Sequence, residues 1–377
     1  MTERTAYAAN TRGRPPCPDW AHGPAAAVAA SAHGASGVAV ALRQGDRRAV
    51  VTHGGTAHAG SVPVTDSTRF EVGSLTKCFT ALLLAEQAAR GEVSHHDPLS
   101  RFLPPRGLPR PHGGPITLLH LATHTSGLPR LPPGLLRGAA PRLFSNPYAA
   151  FSTDDLLSAL ARTRPHSRPG DRLRYSNFGA GLLGHLLTRA AAPGGPAYGE
   201  PPQDPDGRLY GELLAARVLD PLGLDDTTCA PGPSGATGYR HGRALPPWRI
   251  PGLAGAGAVR SSARDLLALL DALLDAPGGS GVPPAALRTA LVDVARPRLA
   301  LPGGDRRLAL IWNIRVRRDG DVYHHSGGTL GFTAFAGFSP RHRTALVAVA
   351  NTGPPAGRAF IQSAYTALLS LARPVSR

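Results

Sequence analysis

The hydrophobic and polar positions of the chain fall into three blocks. Residues 37–55 (GVAVALRQGDRRAVVTHGG) set two β-branched-rich runs around Gly45-Asp46, which predicts a β-hairpin. A lone hairpin is marginal in water, so these strands need partners. The next segments of strand character lie at the other end of the chain, at 308–316, 321–327, 331–338 and 344–351. Asp319-Gly320 marks a second turn there, and residues 357–373 close as a helix. Between the two groups, from about 95 to 250, the pattern is helical or rich in Pro and Gly, with candidate helices at 154–162, 178–190 and 208–219. The prediction is an α+β fold: an antiparallel five-stranded sheet built from both chain ends and flanked by helices, with a mostly helical inserted domain. Its expected parts are a loosely ordered N-terminal extension (1–25), a sheet domain (26–95 with 250–377) and the helical insertion (96–249). Tyr-Gly-Glu occurs twice, at 198–200 and 210–212, and the Pro-rich stretch between reads as a surface insertion rather than a repeat.

One further helix carries a chemical anomaly. Residues 74–90 place Leu75, Phe79 and Leu83 on one stripe, with Cys78 and Leu82 beside it and Gly91 as the stop. Of the 41 basic residues, all but one are arginine, and the exception, Lys77, lies in this helix. The excess of Arg, Ala, Gly and Pro looks like the product of a G+C-rich genome, which devalues the formal charge of +16 as a clue. The arginines are scattered among acids and prolines, with runs no denser than RVRR at 315–318, so no nucleic-acid partner is expected. Cys17, Cys78 and Cys229 have neither metal nor disulfide spacing. The N-terminal stretch holds no apolar run of signal-peptide length, and no other segment is long enough to cross a bilayer, so the expectation is a cytoplasmic protein without a membrane partner.

Ser74 and Lys77 are three apart, so a helix puts both on one face, with hydroxyl and amine in hydrogen-bond reach. A serine hydroxyl attacks a carbonyl only when a base takes its proton, and a lysine can give up its own proton to act as that base. Arginine cannot. A helix N-terminus also favours the negative charge that develops in such an attack. Tyr175 and Asn177, in RYSNFGAGLL, stand two apart before a helical run, so an extended backbone points both to one side. The stretch HHSGGTLGF (324–332) sets His325 and Ser326 beside Gly327 and Gly328 on a strand, where a substrate backbone could approach closely. His120 and His124 are four apart, but no Glu follows His120 as in a zinc-protease motif, and no metal is expected. Cys78, Trp312 and Tyr323 read as core, and His95 and His96 as solvated.

Taken in order and spacing, these stretches resemble the serine β-lactamase and penicillin-binding-protein-like hydrolases, on the class C side. LLHLATHTSGLP (118–129), VLDPLGLDDT (218–227), GAGAVRSSARDLLAL (255–269) and TALVAVANTG (344–353) carry the likeness further, over roughly residues 30 to 370. The resemblance implies a β-lactamase/transpeptidase-like fold and a cofactor-free enzyme acting on a small-molecule acyl substrate. It implies Ser74 as the nucleophile of an acyl-enzyme, with Lys77 and Tyr175 sharing the base and proton-transfer roles. Asn177 would hold the acyl side, and the N–H groups of Ser74 and Gly328 would form the oxyanion hole. His325, Ser326 and Gly327 stand where β-lactamases carry Lys-Thr-Gly, so the carboxylate anchor becomes a histidine charged only in part near neutral pH. The family spans ester, amide or thioester hydrolases, transacylases that pass the acyl group to an amine or alcohol, β-lactamases and D-alanyl-D-alanine carboxypeptidases. An idle binding module on the same fold is the alternative from another class.

Overall fold

The computed structural model describes residues 18–59, 62–109, 113–139, 142–192, 207–230, 235–278, 283–353 and 357–372. Most of the predicted Pro-rich insertion, and residues 1–17 of the predicted extension, lie outside these. The predicted hairpin forms as β1 (Gly37–Gln44) and β2 (Arg47–Gly54), paired antiparallel. The C-terminal strands follow as β3 (Leu299–Ala300), β4 (Arg306–Leu308), β5 (Asn313–Arg315), β6 (Val322–Gly328), β7 (Thr333–Ser339) and β8 (Thr344–Ala350). They make one antiparallel sheet in the order β2-β1-β8-β7-β6-β5-β4-β3, with Ala41 opposite Val347 and His325 opposite Ala336. β1 joins the C-terminal strands through β8, so both chain ends do build the sheet. The sheet has eight strands, not the expected five.

Part of the discrepancy has a local cause. The run 308–316 reads as one strand, but its centre turns over: Ile311 adopts φ +67° and Trp312 N–H donates to the Leu310 carbonyl at 2.8 Å. A β-branched residue in that region is an outlier. It is held there by burial of the whole turn and by Ile311 N–H donating to Ala122 O at 2.9 Å. The turn splits the run into β4 and β5 and lets β3 add at the edge.

The middle strands β7 and β8 are buried at every position, so their sequences run apolar without alternation. One face packs on α1 (Asp19–Ala30) and α9 (Gly357–Leu371), through Val40, Leu42, Phe335, Leu346 and Phe360. Residues 19–25, expected to be loose, are therefore part of a helix with Ala21 and Ala25 fully buried. The other face packs on α2 (Thr76–Ala89) and α7 (Ala263–Asp275). Arg43 on β1 is fully buried and is clamped to α7 by Asp271 at 2.9 Å and Asp275 at 2.6 Å. The expected middle helices are α4 (Thr153–Ala161), α5 (Asn177–Ala190) and α6 (Arg208–Leu214), the last continuing through a π-helical turn to Leu219.

α2 is not half-exposed, as its stripe suggests. It is buried from Thr76 through Gln87, Lys77 and Glu86 included. Such a helix is a core element, and everything it carries at its N-terminus is held rigidly. α5 approaches it together with a short helical turn at Ala254–Gly257. A Cβ on Gly184 would lie 2.9 Å from Gly255 Cα, so the two glycines are what let these backbones touch.

Candidate active site

Ser74 lies in a 3₁₀ turn (Gly73–Leu75) that runs directly into α2. The three-residue spacing still brings the predicted pair together. Lys77 Nζ donates to Ser74 Oγ at 2.9 Å and to the Ala256 carbonyl at 2.7 Å. The lysine side chain is fully buried, and no carboxylate lies within ion-pair distance of it among the described residues. Its amine is therefore held between two oxygens, the serine hydroxyl and the Ala256 carbonyl.

Tyr175 reaches the same oxygen, donating to Ser74 Oγ at 2.7 Å, and its ring centre stands 5.1 Å from Lys77 Nζ. Ser176 is the N-cap of α5. It is buried, accepts from Gly179 N–H at 2.9 Å and donates to Pro129 O at 2.7 Å, which turns it away from its two neighbours. That cap fixes the backbone between Tyr175, whose hydroxyl is at Ser74, and Asn177, which opens α5. His124 supports the Tyr175 ring at 4.5 Å and accepts from Ser176 N–H through Nδ1. Burial, with Lys77 nearby, lowers the His124 pKa to about 3, so this is a neutral imidazole. His120 instead closes the capping box of a short helix at Leu118–Ala122, so the two histidines face different tasks.

The end of β6 forms the next wall. A Cβ on Gly327 would collide with the Val72 carbonyl and stand 2.7 Å from Leu75 N and 2.9 Å from Ser74 N. Gly73, at φ +49°, meets the Gly328 backbone in the same way. Only glycines allow the strand end to lie against the serine turn, with Ser326, Gly327 and the exposed Gly328 along the opening. His325 departs from expectation. Its side chain is buried, and that burial, with Lys77 and His124 near, holds its pKa well below the ordinary value. It is neutral near pH 7, not partly charged.

Several residues at this site were not singled out in the sequence. Glu71, three before the serine, accepts from Trp248 N–H at 2.6 Å and from Thr329 Oγ1 at 2.8 Å. Arg260 stands 3.9 Å from it. One buried carboxylate thus ties the serine turn, the strand end and the segment at 248. Its pKa is raised, by burial first. Tyr148 accepts from Asn177 Nδ2 at 3.3 Å and packs on Trp248 at 5.3 Å between ring centres. Asn177 Oδ1 is buried without a partner among the described residues. Arg130 holds Asn177 N–H on its carbonyl at 2.9 Å and lays its guanidinium over the Tyr175 ring at 5.4 Å. Of these, only Glu71 had a linear signal, its closeness to Ser74. Cys78, Trp312 and Tyr323 are buried in the core as expected, whereas His95 sits 3.4 Å from Asp293 instead of being solvated.

A hydroxyl with two proton-carrying groups within 3 Å, next to a glycine-edged strand end, can attack a carbonyl and shed the proton it releases. The same arrangement is consistent with what the chain is similar to. The model of the family described as Beta-lactamase matches residues 19–370. A D-alanyl-D-alanine-carboxypeptidase/endopeptidase, AmpH, of Escherichia coli (strain K12) is 34% identical over 203 residues, 53% of this chain and 47% of that protein. A beta-lactamase of the same strain is 32% identical over 214 residues, 55% and 48% of the two chains. The chain thus spans about half the length of these curated relatives. A Yersinia enterocolitica beta-lactamase is 24% identical over 90% of this chain and 87% of its own. Among solved structures, a beta-lactamase/D-alanine carboxypeptidase from Pseudomonas syringae superposes with a TM-score of 0.74 at 22% identity. It covers 93% of this chain and 100% of its own, a likeness of fold.

Proposed function

The chain belongs to the beta-lactamase family of serine hydrolases, and on that premise we propose that it is a class C-like member that cleaves small esters, amides or thioesters through an acyl-enzyme on Ser74. The observation that carries this reading is the convergence of Lys77 Nζ and Tyr175 Oη on one serine oxygen, 2.9 and 2.7 Å away. Ser74 Oγ attacks the acyl carbonyl, and its proton passes to whichever of Lys77 and Tyr175 is deprotonated. The carbonyl oxygen gains the electron pair between the Ser74 and Gly328 N–H groups. Collapse expels the leaving group, which takes a proton from the Tyr175–Lys77 pair, and leaves the serine ester. Water then attacks that ester, Ser74 recovers its proton, and the acid departs. No step needs a cofactor. General acid–base catalysis of this kind contributes roughly 10² to 10⁴ in rate.

The substrate class follows from the neutral strand end. A carboxylate beside His325 would meet a buried histidine whose pKa burial holds down, a weaker anchor than a fixed cation, so donors anchored by a leaving-group carboxylate are poorer substrates than simple activated esters. The test is turnover of a panel of p-nitrophenyl esters, aryl thioesters and a chromogenic cephalosporin by the wild type and Ser74→Ala. Ester turnover lost in the variant supports the reading. A fully active Ser74→Ala enzyme overturns it.

A further inference from the structure

If the β6 strand end supplies no charge, recognition of a polar substrate must come from elsewhere on the rim, and the described residues offer one cation in position. Arg130 is exposed, has no carboxylate partner among the described residues, and lies face-on over Tyr175, the residue whose hydroxyl touches Ser74. Its backbone is fixed: its carbonyl accepts from Asn177 N–H at 2.9 Å and from Phe178 N–H at 3.3 Å, both at the start of α5. The guanidinium therefore hangs from the same anchor as Asn177. The Tyr148 hydroxyl, which accepts from Asn177 Nδ2 at 3.3 Å, lies near enough for the Arg130 charge to act on it, and Asn177 Oδ1 is buried without a partner among the described residues. A planar guanidinium with its donors free is the side chain best suited to grip a carboxylate in two-pronged fashion. By contrast, the other cation at the serine, Lys77, is buried and already donates twice.

We propose that Arg130 is the anion-recognising residue of this site, and that the preferred acyl donors carry a carboxylate on the acyl portion, about one short chain away from the scissile carbonyl. This rests on the Ser74 acyl-enzyme reading and adds to it where the substrate's charge sits. In that pose the acyl carbonyl lies at Ser74, the chain runs along the Tyr175–Asn177 side, and the carboxylate meets Arg130 with Tyr148 Oη as a second donor. The leaving group faces the β6 end and needs no charge.

The test compares mono-p-nitrophenyl adipate with its neutral amide counterpart, p-nitrophenyl adipamate, in the full-length enzyme. The wild type is expected to favour the carboxylate by about tenfold in kcat/KM, the range of a charge-assisted hydrogen bond. That ratio should fall towards one in Arg130→Gln, be partly kept in Arg130→Lys and drop below one in Arg130→Glu. Added salt should shrink the ratio in the wild type and leave it in Arg130→Gln. A wild-type ratio of one or less, or a ratio unchanged in Arg130→Gln, overturns the proposal. So does a preference for charge on the leaving group, read with p-acetoxybenzoate against phenyl acetate. Acylation of Ser74 by the neutral ester, followed by mass, reports the underlying reading separately. A failed Arg130 test with that acylation intact condemns the specificity claim alone.

Discussion

Replacing Lys77 by methionine separates chemistry from folding. The substitution keeps an unbranched side chain of similar volume and removes the ammonium. On the catalytic side, Ser74 Oγ loses the donor at 2.9 Å and one of its two routes for the proton, so kcat/KM should fall by about 10² to 10⁴. That is roughly 3–5 kcal/mol of barrier. On the stability side two effects oppose each other. The Ala256 carbonyl loses its donor at 2.7 Å, which costs about 1–3 kcal/mol. A fully buried amine also disappears, and with it the cost of taking that polar group out of water, about 1–3 kcal/mol. The two nearly cancel, so the melting temperature should move by only about a few degrees. Lys77→Arg should lose as much activity, because arginine keeps its proton, and should also unfold earlier, since the larger head overfills the site by about 1–3 kcal/mol. Burst kinetics with p-nitrophenyl esters alongside thermal denaturation reads both. A Lys77→Met enzyme within tenfold of wild type would refute the reasoning, as would one whose lost activity is matched by a collapse in melting temperature.

Other outcomes follow from the same geometry. Gly327→Ala drives a methyl into the Val72 carbonyl and the Ser74 N–H, so stopped-flow acylation should slow by at least about a hundredfold; an unchanged rate would mean the strand end does not shape the site. Four histidines, His124 and His325 buried and His185 and His324 half-buried, stay neutral in the fold, with pKa lowered to about 3 at His124, to about 4 at His185 and His324, and well below normal at His325. Below about pH 6.5 the unfolded chain binds protons the fold refuses, so their contribution is intact above that pH and erodes as pH falls towards the folded values. Each costs about 1.4 kcal/mol per pH unit there, so the urea midpoint should hold down to about pH 6.5 and drop steeply from there to about pH 5; a profile flat down to pH 5 contradicts their burial. Changing Asp271 and Asp275 together to Asn strands the buried Arg43 guanidinium, and equilibrium urea unfolding should show a loss of about 3–5 kcal/mol; a loss under 1 kcal/mol would show that Arg43 finds water instead.

The fold was legible wherever apolar period alone decides structure. The β1–β2 hairpin, β6 to β8 and the closing helix lie within a few residues of their predicted spans. The extra strands were not, because β3 is only two residues long, β4 is a short Arg-Arg-Leu segment, and the run beside them is broken by the Ile311 turn. That turn is held by contacts with Ala122, nearly two hundred residues away. The burial of α2 was also hidden, since a core helix carrying Lys and Glu reads as amphipathic. At the site, Ser74, Lys77 and Tyr175 stood out because their chemistry imposes fixed spacings and residue types. Arg130, Tyr148 and Trp248 did not. In a chain with forty arginines a single one carries no signal, and the aromatic pair meets only after a hundred residues of chain fold back.

The most direct test of the central claim is the intact mass of the protein after brief exposure to activated esters, thioesters and β-lactams, with Ser74→Ala run in parallel. The account predicts an acyl adduct in the wild type, absent from Ser74→Ala, whose modified peptide contains Ser74. Equal labelling of both proteins would contradict it, as would full turnover by a protein unable to form the adduct.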